Sequence, residues 1–308
     1  MILRHDKLSR RPAVFKAMTG LSLAEFETLA EDLVPALLAA LAECRDRPRR
    51  DRAPGGGHPV ELDHRDQLLL TVVWLRHYPI VVVLGYLFGV SEATASRAIA
   101  RALPVLEAAG RDTMRMPDPG RLRRKKLAEL LAETPELARI VDSFEQPIER
   151  PGDRARADSF YSGKKKRHTL KVQVVVDEET GRFVEVSDSF PGPTADLSVL
   201  KSSGVVDRLP PGVGLIGDLA YVGMDKLRPG VGASAPRRKP RSKPRPEEDV
   251  GYNREFSRRR VVVEHSIGRM RRFKAVTEVD RHHQRHHAAR VKAVAGLVNR
   301  QLRYGAAC

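Results

Sequence analysis

The run His168–Asp177, HTLKVQVVVD, packs four valines and a leucine into ten residues. After the four residues EETG it is followed by a second β-rich run, RFVEVSDSF. Two such runs around a short polar, glycine-ended connection read as a hairpin. Short apolar runs lie on either side. LARIVD ends at Asp142 and GVGLIGD ends at Asp218. Between the hairpin and the last run, PTADLSVLKSS reads as a helix with Thr194 as N-cap and Asp196 in its first turn. Strand, strand, strand, helix, strand constrains roughly residues 137 to 218 to an α/β sheet.

The chain before this block has a helical period. SLAEFETLAEDL sets Ser22 three residues ahead of Glu25, a capping-box spacing, with Leu23, Phe26, Leu29 and Leu33 following on one face. Pro35 is expected to end or kink that helix. Residues 45–59, RDRPRRDRAPGGGHP, read as a basic linker. VVVLGYLFGVSEATASRAIA, residues 81–100, suits a helix-turn-helix. Gly89 sits where the turn needs a positive φ, and Gly85 sits where the helices cross. Leu84, Phe88, Val90, Ala95 and Ala98 would form the shared core. Ser91 would cap the second helix, leaving Glu92, Ser96, Arg97 and Arg101 facing outward, where a DNA-binding version meets the major groove. A plain helical hairpin would share this pattern, and the charge favours the DNA reading. With 55 basic and 39 acidic residues the formal charge is +16, which predicts a polyanionic partner, nucleic acid before an anionic membrane. The apolar stretches Gln67–Leu75 and Pro79–Val90 fall short of the roughly 18 residues a spanning helix needs. The opening MILRHDKLSRRP has no apolar core of a secretory signal. Two cysteines, Cys44 and Cys308, form neither a disulfide framework nor a thiolate metal site, and a reducing cytoplasm fits.

Residues 228–251, with five prolines, read as a mobile basic loop. EFSRRRVVVEHSIGRMRRF (255–273) and RHHQRHHAARVKAVAGLVNRQLR follow as helices. On the first of these, Arg260, Glu264, Gly268 and Arg271 share one stripe, beside an apolar stripe of Val263, Ile267 and Met270. The apolar stripe would fix the helix on the sheet and aim Glu264 at the ends of the strands carrying Asp142 and Asp218, the edge where open α/β sheets bind ligands. Three carboxylates converging in a basic protein suit hard divalent cations. Two such ions can activate a water or hydroxyl and stabilise the leaving oxygen of a phosphodiester. Neighbouring arginines would hold the phosphate backbone. An i,i+4 ion pair of Glu264 with Arg260, worth a few tenths of a kcal/mol, is the simpler use of that glutamate.

IVDSFEQPIERP, YSGKKKRHTLKVQVVVD, GDLAY and RRRVVVEHSIGRMRRF together resemble the DDE-type transposases of bacterial insertion sequences, in particular the insertion-sequence-five family related to the Harbinger transposases. The resemblance implies a ribonuclease-H-like catalytic domain, a mixed sheet flanked by helices, over residues 137–308. It implies an all-α helix-turn-helix domain, which binds element ends, over residues 1–120. It assigns Asp142, Asp218 and Glu264 as catalytic and metal-holding residues for two Mg²⁺ or Mn²⁺ ions, with metal-dependent strand cleavage and transfer as the activity. Arg260 and Arg271 match the basic positions that accompany the glutamate. Ser257 stands where related signatures carry tyrosine, and Leu219-Ala220 where they carry a basic residue and glycine. The implied partners are double-stranded DNA and further copies of the chain on it, with no membrane and a place at the bacterial nucleoid. The alternative is a decayed or repurposed relative that only binds DNA.

Lys164, Lys165 and Lys166 are expected to touch DNA as a basic lead-in to a strand. RHHQRHH offers His282/His286 and His283/His287 at i,i+4 spacing, but no further ligand, and reads as phosphate-facing. Asp196 resembles a position seen in the family, and stabilisation of a helix N-terminus accounts for it.

Overall fold

A computed structural model describes residues 3–45, 61–114, 138–209, 213–227, 233–239 and 244–305. The predicted linker from 46 onward, the 115–137 boundary and parts of the 228–251 loop lie outside the described residues. The chain forms two units. One comprises Met1–Asp112, Arg271–Glu278 and Ala289–Cys308; the other comprises Thr113–Met270 and Val279–Ala288. The C-terminal residues from Ala289 thus pack in the first unit, whereas a division at 137 by sequence alone groups them with the sheet.

The first unit opens with α1 (His5–Leu8), α2 (Pro12–Thr19) and α3 (Leu23–Arg45). The capping box forms: the Ser22 N–H donates to Glu25 Oε2 at 2.6 Å and the Glu25 N–H donates to Ser22 Oγ at 3.2 Å. α3 runs on through Pro35 rather than ending there. Pro35 is exposed, so water can solvate the carbonyl its ring leaves unbonded. α4 (His64–His77), α5 (Val81–Phe88) and α6 (Glu92–Thr113) follow. Leu84, Phe88, Ala95 and Ala98 are buried between α5 and α6, while Val90 is only half-buried. Each large apolar side chain buried here contributes about 1.5–3 kcal/mol. Gly89 has φ 61°, and a Cβ on Gly85 would lie 2.8 Å from the Val90 carbonyl oxygen. The predicted turn therefore requires both glycines.

In the second unit seven strands form one mixed sheet among the described residues. They are β1 (Ala138–Pro147), β2 (Tyr161–Ser162), β3 (Arg167–Asp177), β4 (Phe183–Val186), β5 (Phe190–Pro191), β6 (Gly214–Ile216) and β7 (Ala233–Ser234), in the order β2-β3-β1-β6-β7, with β4 and β5 also on β3. β1 pairs antiparallel with β3 and parallel with β6. The predicted hairpin is β3–β4, turning at 178–181. Helices intervene in the order α7 (Arg154–Phe160), α8 (Asp196–Ser203), α9 (Val205–Arg208) and α10 (Glu247–Met270), and α11 (His287–Gly305) closes the chain. The mixed sheet with flanking helices is the expected α/β architecture. α8 and α9 cover one face over Val141, Val175, Leu200, Val205 and Leu215.

Several boundaries differ from the sequence reading. β1 does not stop at Asp142 but continues to Pro147, because Ser143, Glu145 and Pro147 pair with Gln173, Lys171 and Thr169 of β3. The N-cap of α8 is Ala195, not Thr194. α10 starts at Glu247, so the last residues of the Pro-rich stretch are helical; Glu247, Glu248 and Asp249 sit in its first turn, where acids offset the helix dipole. The described part of that stretch is ordered by pairing. Ala233–Ser234 form β7, and the Asn253 side chain brackets Arg237 with bonds of 2.9 and 3.0 Å to its N–H and carbonyl. Within RHHQRHH, Gln284–His286 form a 3₁₀ turn, and the α-helix begins only at its last residue, His287.

Candidate active site

β1 and β6 place the two aspartates. Their register pairs Ala138 with Gly214 and Ile140 with Ile216, an offset of 76 residues (214 − 138 = 76). Asp142 and Asp218 differ by the same number (218 − 142 = 76), so each stands two residues beyond the last pair, Ile140 and Ile216, at the same end of the sheet. β6 ends at Ile216, so the β1 edge beyond Ile140 loses its ladder there. The Ser143 N–H instead donates to Asp142 Oδ1 at 2.7 Å. Asp142 is therefore mid-strand, but at the point where its neighbour stops. Asp218 begins a 3₁₀ turn, Leu219–Tyr221, and its Oδ1 accepts the Ala220 N–H at 2.8 Å. Neither Leu219 nor Ala220 has a positive φ, so the absence of glycine there leaves the turn unstrained.

The glycine that matters is Gly217. A Cβ on it would lie 2.6 Å from Tyr221 Cβ. Tyr221 is fully buried, and its hydroxyl accepts from Gln173 Nε2 at 3.0 Å. Burial pushes the Tyr221 phenol far above its ordinary range. This ring fixes the chain immediately around Asp218.

α10 covers the Asp142 face. Val263, Ile267 and Met270 are buried, as the apolar stripe predicts, and Phe256 is buried with them. Ser266 Oγ donates to the Gly181 carbonyl at 2.6 Å, and Arg259 donates to both carboxylate oxygens of Glu178 at 2.5 and 2.8 Å, tying the helix to the β3–β4 turn. Arg260 does not pair with Glu264. Its Nη2 reaches Asp142 Oδ2 at 3.4 Å, and its Nε is buried without a hydrogen-bond partner among the described residues. Glu264, one turn (about 6 Å) further along, is exposed and carries no hydrogen bond or ion pair among the described residues. The structure thus brings Asp142 and Asp218 together and sets Glu264 on the covering helix, outside their cluster. Among the described residues no three His, Cys, Asp or Glu side chains form a ready metal group. Arg271 lies one residue past α10, exposed and in a turn, because the helix stops at Met270.

Burial raises the Asp142 carboxyl above its ordinary range; the Ser143 N–H and Arg260 oppose the rise, and Asp218 and Asp196 add to it. The Asp142 carboxylate, penalised as an anion by burial and with Asp218 as a second hard oxygen donor nearby, fits a divalent cation, which would relieve that penalty. Asp196 is an addition to the predicted site. The sequence reading gave it only a helix-end role, whereas its Oδ1 accepts from Ser143 Oγ at 2.5 Å and lies 3.0 Å from Lys171 Nζ. Its helix-terminal position was legible, but these partners were not.

In the first unit Ser91 caps α6, its Oγ accepting the Thr94 N–H at 3.1 Å. Ser91, Glu92, Ser96, Arg97 and Arg101 are all exposed, as a recognition surface requires. Lys164, Lys165 and Lys166 form the exposed tip of the β2–β3 turn, where Lys166 has φ 54°. Val174 pairs with Asp142, and Lys166 lies eight positions before it (174 − 166 = 8), just ahead of β3. The lysines therefore lie about 26 Å along the strand from the aspartate. His283 caps the turn before α11 through its Nδ1, and His287 is buried against Gln146 at 2.8 Å and Ser189 at 2.7 Å, so these two histidines serve capping and packing.

Residues 141–299 match the family described as DDE superfamily endonuclease, and residues 60–112 match the helix-turn-helix of DDE superfamily endonuclease. The chain is also 27% identical over 288 residues to a probable transposase for insertion sequence element IS702 from Microchaete diplosiphon, covering 94% of each chain. No helix among the described residues is long and apolar enough to cross a membrane.

Proposed function

The chain belongs to the DDE superfamily endonucleases, a family that uses divalent metal, and from that premise we propose that it is a DNA transposase. Its reaction is strand cleavage at insertion-sequence ends, followed by transfer of the freed 3′-hydroxyl into target DNA. The observation that carries this reading is the pair Asp142 and Asp218 at the end of β6, under a helix that presents Arg260 to Asp142 and bears Glu264 one turn on.

Two Mg²⁺ or Mn²⁺ ions, when held by Asp142, Asp218 and Glu264, would supply an activated water or hydroxyl and a stabilised leaving oxygen. The protein's own part is positioning. The β1–β6 register keeps two carboxylates at the same end of the sheet, and the Ser143 N–H orients the first of them. Tyr221 packed on Gly217 holds the second. Glu264 supplies the third from α10. Arg260 lies close enough to Asp142 to share a phosphate oxygen with that site, and Arg271 contacts DNA phosphate as well. Ser91, Glu92, Ser96 and Arg97 contact the element end in the major groove, and Lys164, Lys165 and Lys166 contact backbone phosphates further out. Two ends must be joined in one event, so the working form is a homodimer or larger assembly on DNA.

The test is a joining assay. Purified chain is incubated with duplex carrying its own element end, a supercoiled target, and Mg²⁺ or Mn²⁺. Covalent end–target products support the transposase reading. Hydrolysed ends with no joined product reduce the protein to a nuclease, and bound but intact DNA in either metal overturns the enzymatic reading.

A further inference from the structure

Asp196 lies outside the three carboxylates assigned to the reaction, yet it is the best-connected acid near them. Its Oδ1 accepts from Ser143 Oγ at 2.5 Å and faces Lys171 Nζ at 3.0 Å. Lys171 also donates to the Thr194 carbonyl at 2.5 Å, and Gln173 Nε2 donates to the Asp196 carbonyl at 3.3 Å. Ser143 sits directly opposite Gln173 in the β1–β3 ladder, and Lys171 is two residues away. Side chains alternate across a strand, so Ser143, Lys171 and Gln173 all point to the face that α8 covers, while Asp142 points to the other. Asp196 is thus engaged behind the sheet. The contact between the two faces is the main chain of Ser143: its hydroxyl is held by Asp196, and its N–H holds Asp142 Oδ1 at 2.7 Å.

We propose that Asp196 is a positioning residue for Asp142, acting through Ser143, with Lys171 neutralising the buried carboxylate. The proposal rests on the reading above that Asp142 holds metal. Without Asp196, Ser143 loses the anchor of its side chain, and the N–H that aims the Asp142 carboxylate loses its fixed direction. Partners that orient metal-binding side chains commonly change metal affinity by 10–100-fold when removed. A direct metal ligand at position 196 would behave differently from a positioning acceptor. Asparagine keeps an oxygen for the Ser143 hydroxyl but offers a cation no charge.

The experiment is Mn²⁺ titration of the DNA-free protein, followed by the paramagnetic resonance of free Mn²⁺, so that no turnover is needed. The expected result has four parts. Ser143→Ala, which deletes one hydroxyl, and Asp196→Ala each weaken Mn²⁺ binding about tenfold or more. The double variant is no weaker than either single one, because both act through one bond. Asp196→Asn stays within about threefold of wild type, a small share of that loss. Hydrogen exchange at the Ser143 amide speeds up in Asp196→Ala. An Asp196→Asn loss as large as that of Asp196→Ala overturns the proposal by making Asp196 a ligand. Wild-type affinity in Ser143→Ala overturns it equally, and because that variant removes only a hydroxyl, misfolding of Asp196→Ala cannot shelter the idea. Asp142→Asn separates the two layers. If it abolishes Mn²⁺ binding while Ser143→Ala retains it, positioning alone has failed. If it binds Mn²⁺ like wild type, the metal reading beneath has failed.

Discussion

Replacing Gly217 with alanine sets two opposed effects of known size against each other beside Asp218. The residue has no positive φ, so alanine fits the backbone, and the loss of unfolded-state freedom should stabilise the protein by about 0.4–1 kcal/mol. Against this, the new Cβ would lie 2.6, 2.8 and 2.9 Å from Cβ, Cγ and Cδ2 of Tyr221. That ring cannot swing away, being fully buried among Leu200 and Met224 and bonded to Gln173. Overpacking of this kind costs about 1–3 kcal/mol. The net expectation is destabilisation of about 1–2 kcal/mol, read as a lower urea midpoint with unchanged slope. Because the clash displaces the residue preceding Asp218, cleavage falls about tenfold or more while DNA affinity stays within about twofold, corresponding to at least ~1.4 kcal/mol in the reaction barrier. Tyr221→Ala removes two of the three clashing atoms, so the two substitutions must couple favourably, by about 1 kcal/mol, in a double-mutant cycle. A Gly217→Ala protein as stable as wild type, or simple additivity with Tyr221→Ala, would refute the reasoning.

Other expectations follow from the same geometry. In chelator, Asp142 holds its proton more tightly folded than unfolded, so its contribution to stability is present below the unfolded pKa and is lost as pH rises through the higher folded value. Asp142→Asn should therefore gain on wild type in urea melts between about pH 4 and pH 7, and an equal difference at both ends contradicts the assignment. Arg97→Ala should cut discrimination between element-end and scrambled duplex by about 1–3 kcal/mol; an undiminished ratio in competition binding removes Arg97 from the recognition surface. Replacing Lys164, Lys165 and Lys166 together by alanine should weaken both duplexes alike and lower the salt slope by about 3. A slope matching wild type shows that the hairpin tip does not touch phosphate.

The elements that could be read from sequence are those whose signal is local. The capping box at Ser22 and Glu25, the turn at Gly89 and the apolar stripe of α10 all formed where a few neighbouring residues specified them. The second half of β1 was hidden because Ser143 and Glu145 are polar; they become strand residues only opposite Gln173 and Lys171. β7 carries two small residues and is defined solely by its pairing with β6. The start of α10 did leave a signal, Pro246 followed by three acids, masked by the proline density before it. In the site, the equal spacing of 76 between the aspartates and between paired residues of β1 and β6 becomes meaningful only once the register is known. The turn of Arg260 toward Asp142, and the bond from Ser143 to Asp196 across 53 residues, are long-range facts that no window of sequence contains.

The central claim is that Glu264 acts with Asp142 and Asp218 although it has no hydrogen-bond or ion-pair partner among the described residues. Its most direct test is nicking of element-end duplex in Mn²⁺ by wild type, Asp142→Asn and Glu264→Gln, with binding measured on the same samples. Both variants are expected to bind the duplex like wild type, and neither to cut it. Cleavage by Glu264→Gln at the wild-type rate would contradict the claim and leave that glutamate an ordinary exposed side chain.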